Sequence, residues 1–413
     1  MKKLNVVLFC LMGTLIFFIT NSYAMHQDTE LLLKLLENKG VITSDEASDL
    51  KKAVEAGIET ETAVPPQRIE QKSHGMDSAE IREALNWLRK VKISGLIEVE
   101  AFTSDRTNFG NTSLSKRDSN DITLATVELG LDAMINQWVS GHILLLWEED
   151  DTEEVVVDEG TITIGNIEKF PLYLTAGKMY VPFGNFESNM IQDPFTLELG
   201  ETRESAVLLG FEQNGFYASA YAFKGDVKQT HKRERVETFG GNIGYSFEND
   251  NISFDAGVDF INNLESDAIS DAIEDLGIID EIDDNVPGFA GHIIFNCGPL
   301  MLIGEYLGTT EDYKAGEIYF EKVKKAKPET WNIEAAATAE ITGKEVTFAI
   351  GYQGTEDLMG SLPEDRFMVS MCTEIFKNTS AALEFYHDED YDKKDGGTGR
   401  DANVVSAQLA VEF

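Results

Sequence analysis

The stretch 331-WNIEAAATAEITGKEVTFAIGY-352 decides how this chain folds. Trp331, Ile333, Ala335, Ala337 and Ala339 alternate with Asn332, Glu334, Ala336, Thr338 and Glu340. Beyond Thr342-Gly343, Val346, Phe348, Ile350 and Tyr352 alternate with Glu345, Thr347, Ala349 and Gly351. A period of two gives each strand one apolar and one polar face, and the Thr-Gly pair folds the two strands into a hairpin.

The same period extends in both directions, from Val91 to the last residue. Ala125, Val127, Leu129, Leu131 and Ala133 alternate with Thr126, Glu128, Gly130 and Asp132; Ile252, Phe254, Ala256, Val258 and Phe260 alternate with Ser253, Asp255, Gly257 and Asp259. Short turns (Asn136-Gln137, Gly165-Asn166, Asn214-Gly215, Asn249-Asp250, Gly298-Pro299, Thr342-Gly343, Asn378-Thr379) alternate with long polar loops near 104–120, 149–154, 184–204, 225–235, 263–287, 310–329, 354–365 and 389–401. Repeated one-sided strands joined this way predict an all-β membrane barrel of about 16 antiparallel transmembrane strands, with both ends on the periplasmic side. Aromatics near strand ends (Trp138, Trp147, Phe183, Phe216, Phe223, Tyr245, Phe247, Phe376) suit interfacial girdles. A soluble sandwich would need more even turn spacing and would leave the terminal Phe413 without a role. An aromatic that ends an alternating strand resembles the assembly signal of bacterial outer-membrane proteins.

The N-terminal quarter reads differently. Lys2 and Lys3 precede an apolar run and Ser22-Tyr-Ala24, which predicts a signal peptide over 1–24. Residues 25–56 read as a helical hairpin with Leu31, Leu32, Leu35 and Leu36 in one stripe and a capping box at Thr43-Ser-Asp-Glu46. A Pro65-Pro66 linker spans 57–75, and a helix over 76–90 leads into the barrel, 91–413. These helices are expected in the periplasm, as a short helical segment ahead of the barrel.

Charge narrows the function. Asp and Glu number 73 against 34 Lys and Arg, for a formal net charge of −39. Nucleic acid is excluded as a partner and cations are favoured. Cys297 and Cys372 lie far apart in sequence and suggest no disulfide framework. On the polar faces Glu98, Glu128, Asp132, Asp255, Asp259, Glu334 and Glu374 point into the expected lumen, with Glu100, Glu340, Glu345 and Glu384 beside them. Paired carboxylates also serve glycosidases, but here they recur on every wall, as in a solvated pore. No nucleophile elbow appears, and His142 and His292 lack ligand spacing, so neither a catalytic residue, a metal site nor a cofactor is expected. Asp388-Glu-Asp-Tyr-Asp392 and Asp395 resemble a calcium loop, except that Lys393 stands where such a loop needs Gly. A solvated charged loop over 389–401 is the default. Basic residues are rare and gather in two long loops, as Lys228, Lys232, Arg233 and Arg235 and as Lys324 and Lys325. An extracellular basic rim there would meet a carboxylate-rich ligand or lipopolysaccharide phosphates.

The most distinctive loop is 184–204. Pro182 and Pro194 fix its direction, Gly184 and Gly200 let it bend, and Phe186, Met190, Ile191, Phe195, Leu197 and Leu199 are too apolar for free solvation. It is expected to fold inward and to place Glu187, Asp193, Glu198, Glu201, Arg203 and Glu204 at a pore constriction.

Gly177-Lys-Met-Tyr-Val-Pro-Phe-Gly184, Asp193-Pro-Phe-Thr-Leu-Glu-Leu-Gly-Glu-Thr-Arg-Glu204 and Leu32-Leu-Lys-Leu-Leu-Glu-Asn-Lys-Gly-Val-Ile-Thr43 resemble the LbtU-type siderophore porins. The Gly-rich strand ending in Pro-Phe-Gly is shared with phosphate-selective porins. The resemblance implies a bacterial outer-membrane barrel that admits a ferric siderophore without a globular plug; too little sequence precedes Val91 for one. Its partners would be a small solute, outer-membrane lipid, the barrel-assembly machinery and, in a homotrimer, further copies of the chain. A general cation-preferring diffusion porin and a structural or adhesive surface protein are the alternatives.

Because inward carboxylates outnumber inward Lys and Arg, the channel is expected to prefer cations. The reversal potential across a potassium chloride gradient checks this, and an anion-selective sign contradicts it.

Overall fold

The computed structural model describes residues 90–105, 119–149, 152, 154–225, 227–229, 235–274, 281–318, 325–358 and 361–413. The expected signal peptide, helical hairpin, linker and most of the leading helix lie outside them, as do Lys232, Arg233 and Lys324.

The period of two becomes strands β1 (Val91–Ser104), β2 (Ser119–Asn136), β3 (Val139–Trp147), β4 (Val156–Asn166), β5 (Phe170–Tyr180), β6 (Arg203–Gln213), β7 (Phe216–Phe223), β8 (Lys228–Gln229), β9 (Thr238–Glu248), β10 (Ile252–Ile261), β11 (Glu281–Ile282), β12 (Gly288–Cys297), β13 (Leu300–Thr309), β14 (Glu329–Ile341), β15 (Lys344–Glu356), β16 (Asp365–Phe376), β17 (Thr379–Glu389) and β18 (Asp401–Glu412). Two-residue β8 and β11 pair with each other, parallel, in the loops. The remaining 16 strands form a closed antiparallel barrel in which each strand pairs with its sequence neighbours and β1 closes on β18. Closure leaves no strand edge to satisfy in lipid.

Turn chemistry sets the register. Thr342 (φ 53) and Gly343 (φ 80) join β14 to β15, and Asn214 (φ 55) and Gly215 (φ 84) join β6 to β7. Two positive φ values in a two-residue turn match the twist of the flanking strands. Apolar residues face outward: Ile122 is 72% exposed, Ile333 57% and Ile350 62%. Such a band would drive aggregation in water and is solvation in lipid.

The aromatic expectations divide. At the turn end, Phe216 and Tyr245 pack with ring centroids 4.7 Å apart, and Lys169 and Lys344 lie over Trp138 and Phe376. Phe183 and Phe223, however, are 1% exposed and belong to an interior cluster, not a girdle. Sequence position at a strand end does not say which face the ring takes.

At the seam, Gly95 N–H donates to the Phe413 carbonyl (2.9 Å) and Phe413 N–H to the Gly95 carbonyl (3.1 Å). The Phe413 ring covers Gly95 so closely that a Cβ there would stand 2.4 Å from it. Deleting Phe413 is expected to lower the heat-modifiable, folded fraction in outer membranes severalfold while export continues. An unchanged folded fraction would contradict a role for this seam.

Candidate functional site

Between β5 and β6 the chain turns into the barrel. The loop, called L3 below, runs over 181–202 and carries a one-turn helix α1 (Phe195–Gly200). Its apolar residues are interior: Phe183, Leu197 and Leu199 are 1% exposed and Phe195 0%. Burying each contributes roughly 1.5–3 kcal/mol. Phe183, Leu197 and Leu199 join Ile261 of β10, Leu307 of β13, and Leu264, Ile269, Ile273, Tyr313 and Ile318 of two further loops in one apolar cluster inside the mouth. The first of those loops, read as polar over 263–287, carries helix α2 (Asp267–Glu274), which packs on α1. L3 begins with a tight bend: Gly184 lies at φ +90, where a Cβ would meet the Phe186 ring at 2.3 Å, and Phe186 itself has φ 63. A bulky residue at positive φ persists only when its surroundings hold it there.

What holds it is a series of carboxylates on the inner wall. Asp259 of β10 accepts from Gly184 N–H (3.3 Å). Glu305 of β13 accepts from Asn185 N–H (2.6 Å), Phe186 N–H (3.2 Å) and the Thr196 hydroxyl (2.6 Å). Glu334 of β14 accepts from the Ser188 hydroxyl (2.6 Å) and Asn189 N–H (2.7 Å), and Glu384 of β17 from Ile191 N–H (2.6 Å). Ser370 of β16 donates to the Asn189 carbonyl, and Gln353 of β15 accepts from Phe195 N–H, the first amide of α1. The anchors therefore run round the wall from β10 to β17. Arg366 of β16 adds a clamp: its guanidinium grips Asp388 (2.7 and 3.0 Å) and lies 4.5 Å from the Phe195 ring centroid and 4.4 Å from that of Tyr386. Desolvated cation–π contacts of this kind contribute on the order of 2 kcal/mol.

The residues singled out from the sequence lie as follows. In L3, Glu187, Asp193 and Glu201 are buried and Glu198 half-buried. Arg203 and Glu204 begin β6; Arg203 pairs with Asp158 of β4 beside the Tyr180 ring. On the wall, Glu98 stands opposite Thr126 and Ala410, and Glu128 opposite Leu96. Asp132 pairs with His142 (2.7 Å). Asp255 meets His292 (2.9 Å) and the Tyr217 hydroxyl (2.8 Å). Glu374 instead caps the amide of Asn378 at a turn. In the loops, Arg235 pairs with Glu237 and Lys325 with Asp312, so these two basic residues are matched locally. Lys228 contributes its backbone to β8. In the loop after β17, Asp390 accepts from Thr398 and Tyr391 amides, and Tyr391 reaches Thr355 (2.6 Å); its carboxylates organise the loop. Among the described residues no group of His, Cys, Asp or Glu is arranged to hold a metal ion.

Glu305, Gln353 and Arg366 were not singled out from sequence. Glu305 lies in 300-LMLIGEYLG-308, where apolar residues occupy both faces and mask the alternation.

This architecture is that of the outer-membrane porins. It is similar to the outer-membrane channel DcaP of Acinetobacter baumannii (TM-score 0.53, 15% identity, 78% of this chain and 97% of that one). It is also similar to the anion-selective porin of Comamonas acidovorans (0.53, 11%, 78% and 99%) and to OprB of Pseudomonas putida (0.55, 8%, 84% and 100%). No family model matches the sequence. A curated relative, the UPF0422 protein of Coxiella burnetii, is 30% identical over 347 residues, covering 78% of this chain and 72% of that protein. UPF0422 proteins of Legionella pneumophila strains Paris and Philadelphia 1 are 28% identical, and the chain spans 66% of their length, just under two thirds. The chain belongs to the UPF0422 family.

Two outcomes follow. Replacing Glu305 by Ala strands two loop amides and the Thr196 hydroxyl, at about 1–3 kcal/mol for each buried donor. Single-channel conductance and open-channel noise are expected to rise; wild-type values for both would contradict the docking role. Secondly, burial, with Asp255 and Glu334 nearby, pushes the Glu187 carboxyl up to about 7. It is charged above that pH and neutral below, so cation selectivity should fall between pH 8 and pH 6. Glu187→Gln should flatten that step, and an identical pH dependence in the variant would rule Glu187 out.

Proposed function

We propose that this chain is an open, plug-less outer-membrane porin, a passive channel for small solutes that prefers cations and is narrowed by L3. The observation that carries the reading is the anchoring of one loop along the inner wall from β10 to β17. A loop held so extensively inside a barrel narrows it, and the remaining passage is displaced towards the β18, β1–β4 wall. Glu100, Asp132 and Glu159 are partly exposed on that wall, beside the buried Glu98 and Glu128, so a solute there meets a negative field that concentrates cations. In this reading Glu187, Asp193, Glu198, Glu201 and Glu204 contribute negative potential at the narrowing, partly offset by Arg203.

A second reading keeps the ferric siderophore as cargo. Two of the three stretches that carry the resemblance to siderophore porins, 177–184 and 193–204, fall in L3 and its two root strands, where selectivity would be set. An anionic ferric complex would meet the same negative field, which favours a neutral or cationic chelate. Block of single-channel current by a ferric siderophore, absent with the iron-free form, would establish it.

Replacing residues 186–199 by a short Gly-Ser linker tests the first reading. Conductance should increase severalfold and discrimination between small and large cations should weaken. If folded, heat-stable barrels of the variant conduct like wild type, L3 is not the narrowing.

A further inference from the structure

Near the short-turn end of the barrel, the inner faces of β5, β6, β7 and β9 enclose a recess of about 800 Å3. Tyr173, Tyr180 and Tyr217 line it, and glycines seat the first and last of these rings. A Cβ on Gly210 would stand 2.1 Å from the Tyr173 ring, and a Cβ on Gly244 2.1 Å from the Tyr217 ring. Each ring therefore lies flat on glycine backbone of a neighbouring strand, an approach only glycine permits, and keeps its other face for the recess. The Tyr217 hydroxyl is tethered to Asp255 (2.8 Å), which fixes that ring further. Glu212 stands directly across from Tyr217 in the β6–β7 register, and Glu168 contributes a second carboxylate at the rim. Ser219 and Asn242, joined by a 2.8 Å hydrogen bond, add neutral polar groups. Among the described residues no Lys, Arg or His lines the recess itself; His292 stands behind the Tyr217 ring, its Nε2 3.3 Å from that hydroxyl.

Pre-positioned aromatic faces beside Glu168 and Glu212, with no Lys or Arg among the described lining residues, attract a positive charge on an apolar body. A small inorganic ion keeps its hydration shell and gains little from a ring face. An anion is repelled, and a neutral sugar, which can donate hydroxyls to the carboxylates, brings no charge to offset theirs. The volume is that of a site for a drug-sized ligand. We propose that this recess is a binding site for a weakly hydrated organic cation, a quaternary ammonium or guanidinium-bearing solute, on its way through the barrel. The proposal rests on the porin reading above and names the solute class for it.

The test uses the full chain in planar bilayers, with tetraethylammonium added on the side of the short turns and sodium or glucose as controls. Tetraethylammonium should block current in a concentration-dependent way while the controls do not. Tyr217→Leu and Glu212→Gln should each weaken block about tenfold, the size of one such contact. Tyr217→Phe, which keeps the ring, should retain it. Calorimetric titration of tetraethylammonium into the detergent-folded barrel reads the same site without current, so a variant that inserts poorly is still tested. Equal block of wild type and both weakened variants overturns the site, as does the absence of block and of heat. Equal block by glucose overturns the ligand class. A folded chain that never conducts overturns the porin reading, whereas conducting channels without block overturn the recess alone.

Discussion

Backbone amides turned into a barrel lumen belong to no strand ladder, and once packed they are cut off from bulk water. Each left without an acceptor costs about 1–3 kcal/mol. L3 carries a run of such amides from Gly184 to Gln192, and the wall answers with Asp259, Glu305, Glu334 and Glu384. Carboxylates suit this work because each offers two oxygens and several lone pairs, and charge-assisted bonds are the stronger kind. The acidic inner face has a structural use before any electrostatic one.

Apolar packing and hydrogen bonding divide the loop between them. Phe183, Phe186, Leu197 and Leu199 join the apolar cluster with α2 and the loop after β13, while the stretch from Asn185 to Gln192 is also held through backbone amides on wall carboxylates. Arg366 links the two regimes, ion-paired to Asp388 and stacked on Phe195, the first residue of α1. This division leaves the β5–β9 wall near the turn end open enough for a recess, where glycines rather than loop contacts decide how the side chains lie.

The barrel was legible from residue alternation because lipid on one side and water on the other impose the period of two on every strand. Turn residues such as Thr342-Gly343 and Asn214-Gly215 then fixed the hairpins. The inward course of L3 was legible too, from six apolar residues, three before Pro194 and three after it. Its anchors were not: Glu305 and Glu384 meet L3 across 120 and 193 residues of sequence, a separation no local pattern encodes. Phe183 and Phe223 misled because alternation gives the face of a strand but not of the residues where it ends. The solved porin neighbours share only 8–15% of residues with this chain, which fits a fold demanding polarity at each position rather than identity.

Hydrogen exchange of the loop amides in the folded barrel bears most directly on the docking of L3. The amides of Asn185, Phe186, Asn189 and Ile191 should exchange as slowly as those of the adjoining strands, because each is hydrogen-bonded to a wall carboxylate. Exchange at the rate of solvated loop amides, in barrels whose strands remain protected, would contradict the account.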